Sequence, residues 1–243
     1  MNGEHPVEVV RANEHELDMT AFLHVTELPH GLFPRLGRGF VRRWHRAHLR
    51  SDYGTVLVAR RGGVVVGFLV GTVDRRANVA WIIRRHRTEL VAAGLRALAA
   101  RPVLAWPFLR TRGLRYARRI MRPGASGTSQ ATDYSQAVPS NTGPDEPNAL
   151  DGPGSPAPLA VLEAVVVDFP ERGNGIGSAL VDAFLAEVVA ADANRVELVT
   201  KADARGAAGF YERSGWSRVG EHVDRDGDEV LTFRFDPQTI GAR

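Results

Sequence analysis

The residues best suited to chemistry form a glycine-rich turn, Arg172-Gly173-Asn174-Gly175-Ile176-Gly177, which follows an apolar run. Glycine lets the backbone approach a ligand closely, and the first N–H groups of a helix have no partner within that helix. Together with the helix dipole, such amides favour a phosphate or pyrophosphate group. The turn therefore predicts an anion site at residues 173–178, with Arg172 as an added charge or as a cap of the turn.

Two phosphate-binding patterns compete for this turn, and a turn without any ligand is the third interpretation. A P-loop needs Gly-x-x-x-x-Gly-Lys-Ser/Thr, and the sequence contains no such run. The dinucleotide pattern needs Gly-x-Gly-x-x-Gly, but the sixth position counted from Gly173 is Ser178. Glu197 does lie about where a ribose-binding acid would follow, so nicotinamide-dependent chemistry stays open.

The elements that must position this turn are clearest in the last part of the chain. An apolar strand, interrupted by Glu163, precedes the turn, and an amphipathic helix follows it. Short β-rich runs and one more helix, closed by Gly215, complete the pattern. The predicted elements are strands at 160–167, 195–200, 216–222 and 229–235, and helices at about 175–191 and 205–214.

The first part of the chain predicts a strand, two helices and a hairpin. Residues 7–10 are β-like, and residues 14–28 and 40–49 have apolar side chains at helical spacing. The hairpin joins residues 55–59 to 64–70 through Gly62-Gly63, because a Gly-Gly pair between β-branched runs tolerates the positive φ of a tight turn.

The middle of the chain is a basic helical insertion at 75–122, followed by a flexible low-complexity linker at 123–158. The insertion carries thirteen arginines against one acid, Glu89. It predicts a cover over the acceptor side of a cleft, or a docking surface for an acidic partner such as an anionic membrane surface or an acyl carrier protein. Nucleic-acid binding ranks last, because no recognised motif accompanies the charge.

Composition excludes several kinds of site. The chain has 243 residues, of which 44% are hydrophobic and 24% charged, as expected of a globular protein. It has no cysteine, so disulfides, thiolate metal sites and a cysteine nucleophile are excluded, and no metal site is expected. The polar start and the absence of a long uncharged apolar stretch predict a cytoplasmic protein, peripheral at a membrane at most.

The pattern Arg172-x-x-Gly175-x-Gly177 after an apolar strand resembles the pyrophosphate loop of the GNAT superfamily of acetyltransferases. A second motif agrees: Phe210-Tyr211 before Gly215-Trp216 looks like the family's late helix. The resemblance implies an α/β fold, with a mixed, mostly antiparallel sheet of about seven strands. In that fold helices flank the sheet, strands 4 and 5 splay apart, and 1–243 is a single domain.

The resemblance also implies a co-substrate, acetyl-CoA or another acyl-CoA, and no metal. Its pantetheine arm would pair with the backbone of Val165, Val166 and Val167. Its pyrophosphate would lie on the amides of residues 173–178. A small-molecule amine would be the acceptor, attacking directly in a ternary complex.

Candidate catalytic residues follow from that mechanism. A protonated amine must lose a proton before it attacks, so a base is useful. Glu163, a lone carboxylate in an apolar strand expected to face the cleft, is the candidate base, with Glu197 in reserve. Tyr211 occupies the position whose hydroxyl protonates the leaving thiolate in many family members. Glu27 and His24 are candidates for shaping the acceptor pocket.

One departure from the family pattern supports a different class of function. The family often has Asn seven residues before the helix Tyr, where this chain has Ala204. A non-catalytic module that binds or senses acyl-CoA is therefore the first alternative. The second is an acyltransferase that uses a longer acyl chain or a carrier-protein donor.

Overall fold

The structure is a computed structural model that describes residues 5–100, 158–202, 207–224 and 227–242. Its main elements, in chain order, are seven strands and six α-helices. The strands are β1 (Val7–Arg11), β2 (Gly54–Arg61), β3 (Val64–Thr72), β4 (Leu159–Val167), β5 (Arg195–Lys201), β6 (Ser217–Val223) and β7 (Glu229–Phe235). The helices are α1 (Leu17–Glu27), α2 (Leu32–Leu36), α3 (Arg38–Leu49), α4 (Arg75–Ala99), α5 (Ile176–Ala190) and α6 (Ala207–Arg213).

The strands form one sheet in the order β1-β2-β3-β4-β5-β7-β6. Every neighbouring pair is antiparallel except β4 and β5, which are parallel. The prediction of a mixed, mostly antiparallel sheet of about seven strands is therefore confirmed.

The sheet parts between β4 and β5. These strands pair at only three positions, from Leu159 opposite Arg195 to Val161 opposite Glu197. Beyond Val161, β4 continues to Val167 with β3 as its partner on one side, while β5 continues beside β7. The β5-facing edge of residues 162–167 is consequently open, as the splay predicted from the family resemblance requires.

Helix α5 covers one face of the sheet. Its buried side chains recur at helical spacing and join a core that includes β5, β7 and α6. Gly71 makes room for this contact, since a Cβ at that position would lie 2.6 Å from the Phe184 ring. At its C-terminal end α5 is tied to the sheet through Glu187, whose carboxylate accepts hydrogen bonds from Arg11 and Thr55.

Helices α1 to α4 cover the other face. A second hydrophobic cluster there contains Trp44 of α3, Phe68 of β3 and Val166 of β4, with apolar side chains of α4 packed against it. The first 25 residues of the basic segment thus form a single helix, Arg75–Ala99, that covers α3. Residues 101–122 and the linker predicted at 123–158 lie outside the described residues, apart from residue 158.

Helix starts differ from the sequence prediction for local reasons. Residues 14–16 were predicted to be helical, but α1 begins at Leu17. Asn13 Oδ1 accepts from the amides of His15 and Glu16, and Glu16 Oε2 accepts from the amide of Asn13, which closes a capping turn before the helix. The short helix α2 was not predicted. Among the described residues, no helix combines the length and apolar character needed to cross a membrane.

Candidate active site

The glycine-rich turn enters α5 through two residues with left-handed backbone. Gly173 has φ +82° and Gly175, which caps the helix, has φ +75°. A Cβ at either position would meet open space, so conformation rather than crowding favours glycine there. Ile176 anchors the helix start because its side chain is buried against the core.

The turn presents a continuous run of free backbone donors. The first backbone bond of α5 runs from the amide of Ala179 to the carbonyl of Gly175. The six amides of residues 173–178 have no acceptor within the described part of the chain. Gly173, Asn174, Gly175 and Ser178 are exposed, so these donors are open to a ligand. The predicted anion site therefore has the required free N–H groups at a helix N-terminus.

Arg172 holds this turn against the opposite layer. Its Nε donates to the carbonyl of Val167 at 3.0 Å, and its guanidinium forms an ion pair with Glu27 of α1 at 2.5 Å. The guanidinium also lies over the Phe169 ring. Arg172 thus caps the end of β4 and links the turn to α1, and Glu27 serves that link.

A β-bulge in β4 lies at Glu163. Val70 of β3 pairs with Ala164 and Gly71 pairs with Leu162, so Glu163 is an extra residue without a partner on β3. Before the bulge, Ala160 and Leu162 pack into the α5 core. After it, Ala164 and Val166 pack into the α1–α4 core, while Val165 and Val167 contact the α5 core.

The bulge turns Glu163 towards α3, where it meets a histidine. Glu163 Oε2 lies 3.1 Å from Nε2 of His48, and the two side chains are 10% and 2% exposed. The opposite nitrogen of His48, Nδ1, lies 3.0 Å from the carbonyl of Trp44. Burial lowers the pKa of His48. The charge and hydrogen bond of Glu163, together with the hydrogen bond to Trp44, raise it by more, so the pKa of His48 lies above its ordinary value.

A directed hydrogen-bond chain lies beside this pair, between α1 and α3. The hydroxyl of Thr20 donates to the carbonyl of Leu17, so its oxygen accepts from Nδ1 of His45 at 2.9 Å. Nε2 of His45 then accepts from Nδ1 of His24 at 3.0 Å. Burial lowers the pKa of His24 to about 4 and that of His45 well below its usual value, so both rings are neutral at pH 7.

Sequence reasoning missed His45 and His48. They lie in the segment read as an Arg-rich helix, and their partner Glu163 is far away in the chain. One signal was present: positions 40, 41, 44, 45 and 48 fall on one helical face, and all five side chains are buried. A face that combines apolar residues with histidine is where buried imidazoles are expected.

Tyr211 lies on the α5 side of the sheet. Its ring is 5% exposed and packs against Phe210, Trp216 and Phe233. The Phe210 ring lies beside Gly177, within 3.6 Å of where a Cβ would stand, so α6 contacts the start of α5. Burial raises the pKa of Tyr211, and its hydroxyl has no hydrogen-bond partner in the described ranges.

The reserve carboxylate, Glu197, is engaged in a different contact. Its Oε1 accepts hydrogen bonds from Nε and a terminal nitrogen of Arg234, at 3.2 and 2.9 Å, and Arg195 lies 3.8 Å away. Glu197 is therefore held in ion pairs with the side chains of two arginines. Ala204 lies outside the described residues.

Charged side chains meet at the far end of β5. Lys201, the only lysine in the chain, forms an ion pair with Asp228 at 2.5 Å. The hydrogen bond from Lys201 lowers the pKa of Asp228, and the charges of His30 and Arg35 act in the same direction. The connection between α1 and α2 therefore lies near the end of β5, at the side where the sheet parts.

Comparison with known proteins finds a family similarity in the second half of the chain. Residues 144–216 match the family model described as the acetyltransferase (GNAT) family. Over these residues the chain is similar to GNAT acetyltransferases. No curated protein matches the chain in sequence. The matched segment includes Glu163, the glycine-rich turn and Tyr211.

Solved structures show the GNAT fold over nearly the whole chain. Ard1 from Thermoplasma volcanium is 16% identical, with a TM-score of 0.53, over 95% of this chain and 97% of that one. The acetyltransferase yncA from Salmonella typhimurium, determined with acetyl-CoA, is 11% identical, with a TM-score of 0.53, over 96% and 94%. A chimera of the spermidine N-acetyltransferase SpeG from Vibrio cholerae and hSSAT is 10% identical, with a TM-score of 0.55, over 98% and 99%.

Within the described ranges, no three or more His, Asp or Glu side chains are grouped so as to hold a metal ion.

Proposed function

We propose that the chain is an acyl-CoA-dependent N-acyltransferase that moves an acetyl or related acyl group to an amine. One observation carries the proposal: six free amides at residues 173–178 adjoin the open edge of β4. A pyrophosphate needs converging donors at a helix start, and an amide-containing arm needs an unpaired strand edge. These residues fit both requirements of coenzyme A.

The backbone of Val165, Val166 and Val167 would bind the pantetheine arm. Their side chains pack in the two hydrophobic cores, so the open edge of β4 would contact a ligand through backbone groups. A thioester bound there supplies an activated acyl group. Arg172 fixes the loop through Glu27 and adds positive charge nearby.

The two catalytic candidates lie on opposite faces of the sheet at the gap. Glu163 faces α3, and Tyr211 belongs to the core formed with α5. The amine would therefore approach from the α1–α3 side and lose its proton to Glu163. Tyr211 would protonate the departing sulfur on the other side, since its raised pKa keeps the hydroxyl protonated across the working pH range.

The exposed basic face of α4 supports a proposed acidic partner. Arg84, Arg85 and Arg87 are exposed, as are Arg76 and Arg96, and Glu89 is the one acidic side chain on this helix. Such a surface attracts an anionic macromolecule at low salt. A carrier protein that delivers a longer acyl chain, or an anionic membrane surface, would fit this charge.

The proposal is tested by thiol release from acetyl-CoA with a panel of amines. The panel contains spermidine, a peptide with an N-terminal alanine and an amino sugar, since neighbouring folds include a spermidine acetyltransferase and a ribosomal-protein-alanine N-acetyltransferase from Brucella melitensis. The chain has no cysteine, so a thiol reagent reports released coenzyme A without background from the protein. Amine-dependent release is the expected result.

A second candidate function is a module that binds acyl-CoA without catalysis. Ala204, where the family often has Asn, favours it. Calorimetric binding of acetyl-CoA with no thiol release for any amine would select this alternative. No binding of any CoA species would refute both functions.

A further inference from the structure

The contact between His48 and Glu163 fixes where a proton must lie. Nδ1 of His48 faces a backbone carbonyl, which only accepts, so Nδ1 carries hydrogen and donates to Trp44. In a neutral ring the other nitrogen, Nε2, would then be bare. It faces Oε2 of Glu163 at 3.1 Å, and two lone pairs at that distance repel. A proton on Nε2 removes this repulsion and turns the contact into an ion pair, so the 3.1 Å distance favours a protonated His48 beside the carboxylate.

Glu163 is the charged group that acts on His48; the nearest titratable neighbours are His45 on the same helix and His24 on α1, both neutral. Between α3 and α4, Glu89 lies 3.7 Å from Arg43 and 3.4 Å from His86. Oε2 of Glu163 is buried and makes no hydrogen bond of good geometry in the described part of the chain, so its partner is His48 Nε2, at an ion-pair distance of 3.1 Å.

We propose that Glu163 and His48 act as one acid–base unit, in which Glu163 takes the proton of the acceptor ammonium and His48 is the positioning residue that stores it at Nε2. This inference rests on the proposed function. Glu163 is the more exposed member and lies at the bulge beside the open edge of β4, whereas His48 is buried behind it. A proton from the acceptor therefore reaches the carboxylate first.

The proton balance is simple. In the reactive form the pair consists of the Glu163 carboxylate and a neutral His48. One proton moves from the ammonium to the pair, leaving a free amine and an imidazolium–carboxylate. The amine nitrogen forms the new C–N bond as the C–S bond breaks, with its electron pair on sulfur. The remaining extra proton on nitrogen ends on the thiol, and no oxidant or reductant is involved.

The pairing gives a chemical reason for a buried histidine next to the carboxylate. A carboxylate alone is a weak base at neutral pH, whereas a good general base has a pKa near the working pH. Glu163 and the bond to Trp44 raise the pKa of His48 above its ordinary value in spite of burial, so the pair binds a proton more tightly than a free imidazole does. Interacting groups of this kind titrate as a pair rather than separately.

The pH profile of kcat/KM tests the unit. For the unchanged protein, kcat/KM should fall with decreasing pH on a limb whose midpoint lies above 6.5, the ordinary pKa of histidine. His48→Gln leaves the carboxylate as the only base, so kcat/KM at pH 8 should fall about tenfold or more and the acid limb should move to lower pH. A limb at the same pH in both proteins would overturn the inference.

His45→Gln is the matched control. It removes a buried imidazole from the same helix without touching Glu163. Altered packing can lower the activity and stability of this variant. The acid limb of its pH profile of kcat/KM should nevertheless stay at the same pH as in the unchanged protein. If both variants move the limb equally, the effect is structural and the inference fails.

NMR titration of the histidine rings gives a second readout that needs no activity. In the unchanged protein, the pKa of the His48 ring should lie above 6.5, and in Glu163→Gln it should be lower, because burial is then opposed only by the hydrogen bond to Trp44. A His48 that titrates alike in both proteins refutes the pair. If no amine supports thiol release by the unchanged protein, the proposed function fails; if transfer occurs and these pH tests fail, only the unit is wrong.

Discussion

Replacing Gly175 by alanine should lower both the stability of the protein and its affinity for acetyl-CoA, and Gly63→Ala is a control that should lower stability only. Gly175 has φ +75° at the start of α5, and Gly63 has φ +81° in the β2–β3 turn. At both positions a Cβ would stand in open space. The left-handed conformation costs an alanine about 1–2 kcal/mol, so the two substitutions should lower the free energy of unfolding by similar amounts.

Binding should distinguish the two variants. The Cβ at position 175 would stand among the free amides of residues 173–178 and keep a phosphate from approaching at least one of them. A hydrogen bond to a charged group is worth about 1.5–3 kcal/mol, and each 1.4 kcal/mol changes affinity about tenfold. Gly175→Ala should therefore weaken acetyl-CoA binding by about 10- to 100-fold.

The assay is calorimetric titration with acetyl-CoA, paired with thermal unfolding of the same samples. Gly63→Ala should show the same loss of melting temperature, about 2–4 °C for each kcal/mol, with unchanged affinity. If Gly175→Ala binds acetyl-CoA as the unchanged protein does, the amides at this helix start do not hold the phosphates. If both variants lose affinity equally, the loss reflects general destabilisation.

Two further predictions concern buried side chains. Tyr211→Phe should lower turnover and leave acetyl-CoA affinity and stability nearly unchanged, because the ring contacts with Trp216 and Phe233 remain; equal turnover would remove the hydroxyl from the mechanism. Acid should destabilise the fold through His24: its pKa is lowered to about 4, so between pH 6.5 and 4 the unfolded chain binds more protons and stability falls as pH falls. From about pH 7.5 to 5 His24 alone contributes a loss of about 2 kcal/mol in urea unfolding, to which His45 adds in the same direction; His24→Gln, which keeps a donor for His45, should make the slope less steep.

Local patterns predicted the parts of the fold whose causes are local. The glycine-rich turn and the Phe210-Tyr211 motif were readable because backbone conformation and motif spacing are written in adjacent residues. The number of strands, their mostly antiparallel pairing and the gap between β4 and β5 came from the family resemblance. Asn13 and Glu16 also carried a local capping signal that sets the start of α1, but it was not used.

The bulge and the Glu163–His48 pair could not be predicted in the same way. Strand β4 is almost wholly apolar, so it has no alternation of polar and apolar residues that would reveal a change of face. His48 and Glu163 are brought together by the packing of α3 on the sheet, and no short-range pattern links them. Contacts of this kind depend on tertiary structure and require coordinates.

Because of the extra residue in β4, the even-numbered side chains of its first and second halves face opposite sides of the sheet. A regularly pleated strand would send every second side chain to the same layer throughout its length. Because Glu163 is an extra residue, the alternation changes face in the second half of β4. Glu163, Ala164 and Val166 face helices α1 to α4, whereas Val165 and Val167 face α5. Deleting this single position would restore the simple alternation and withdraw the acid from α3, so a shortened strand tests whether the gap in the sheet depends on the irregularity.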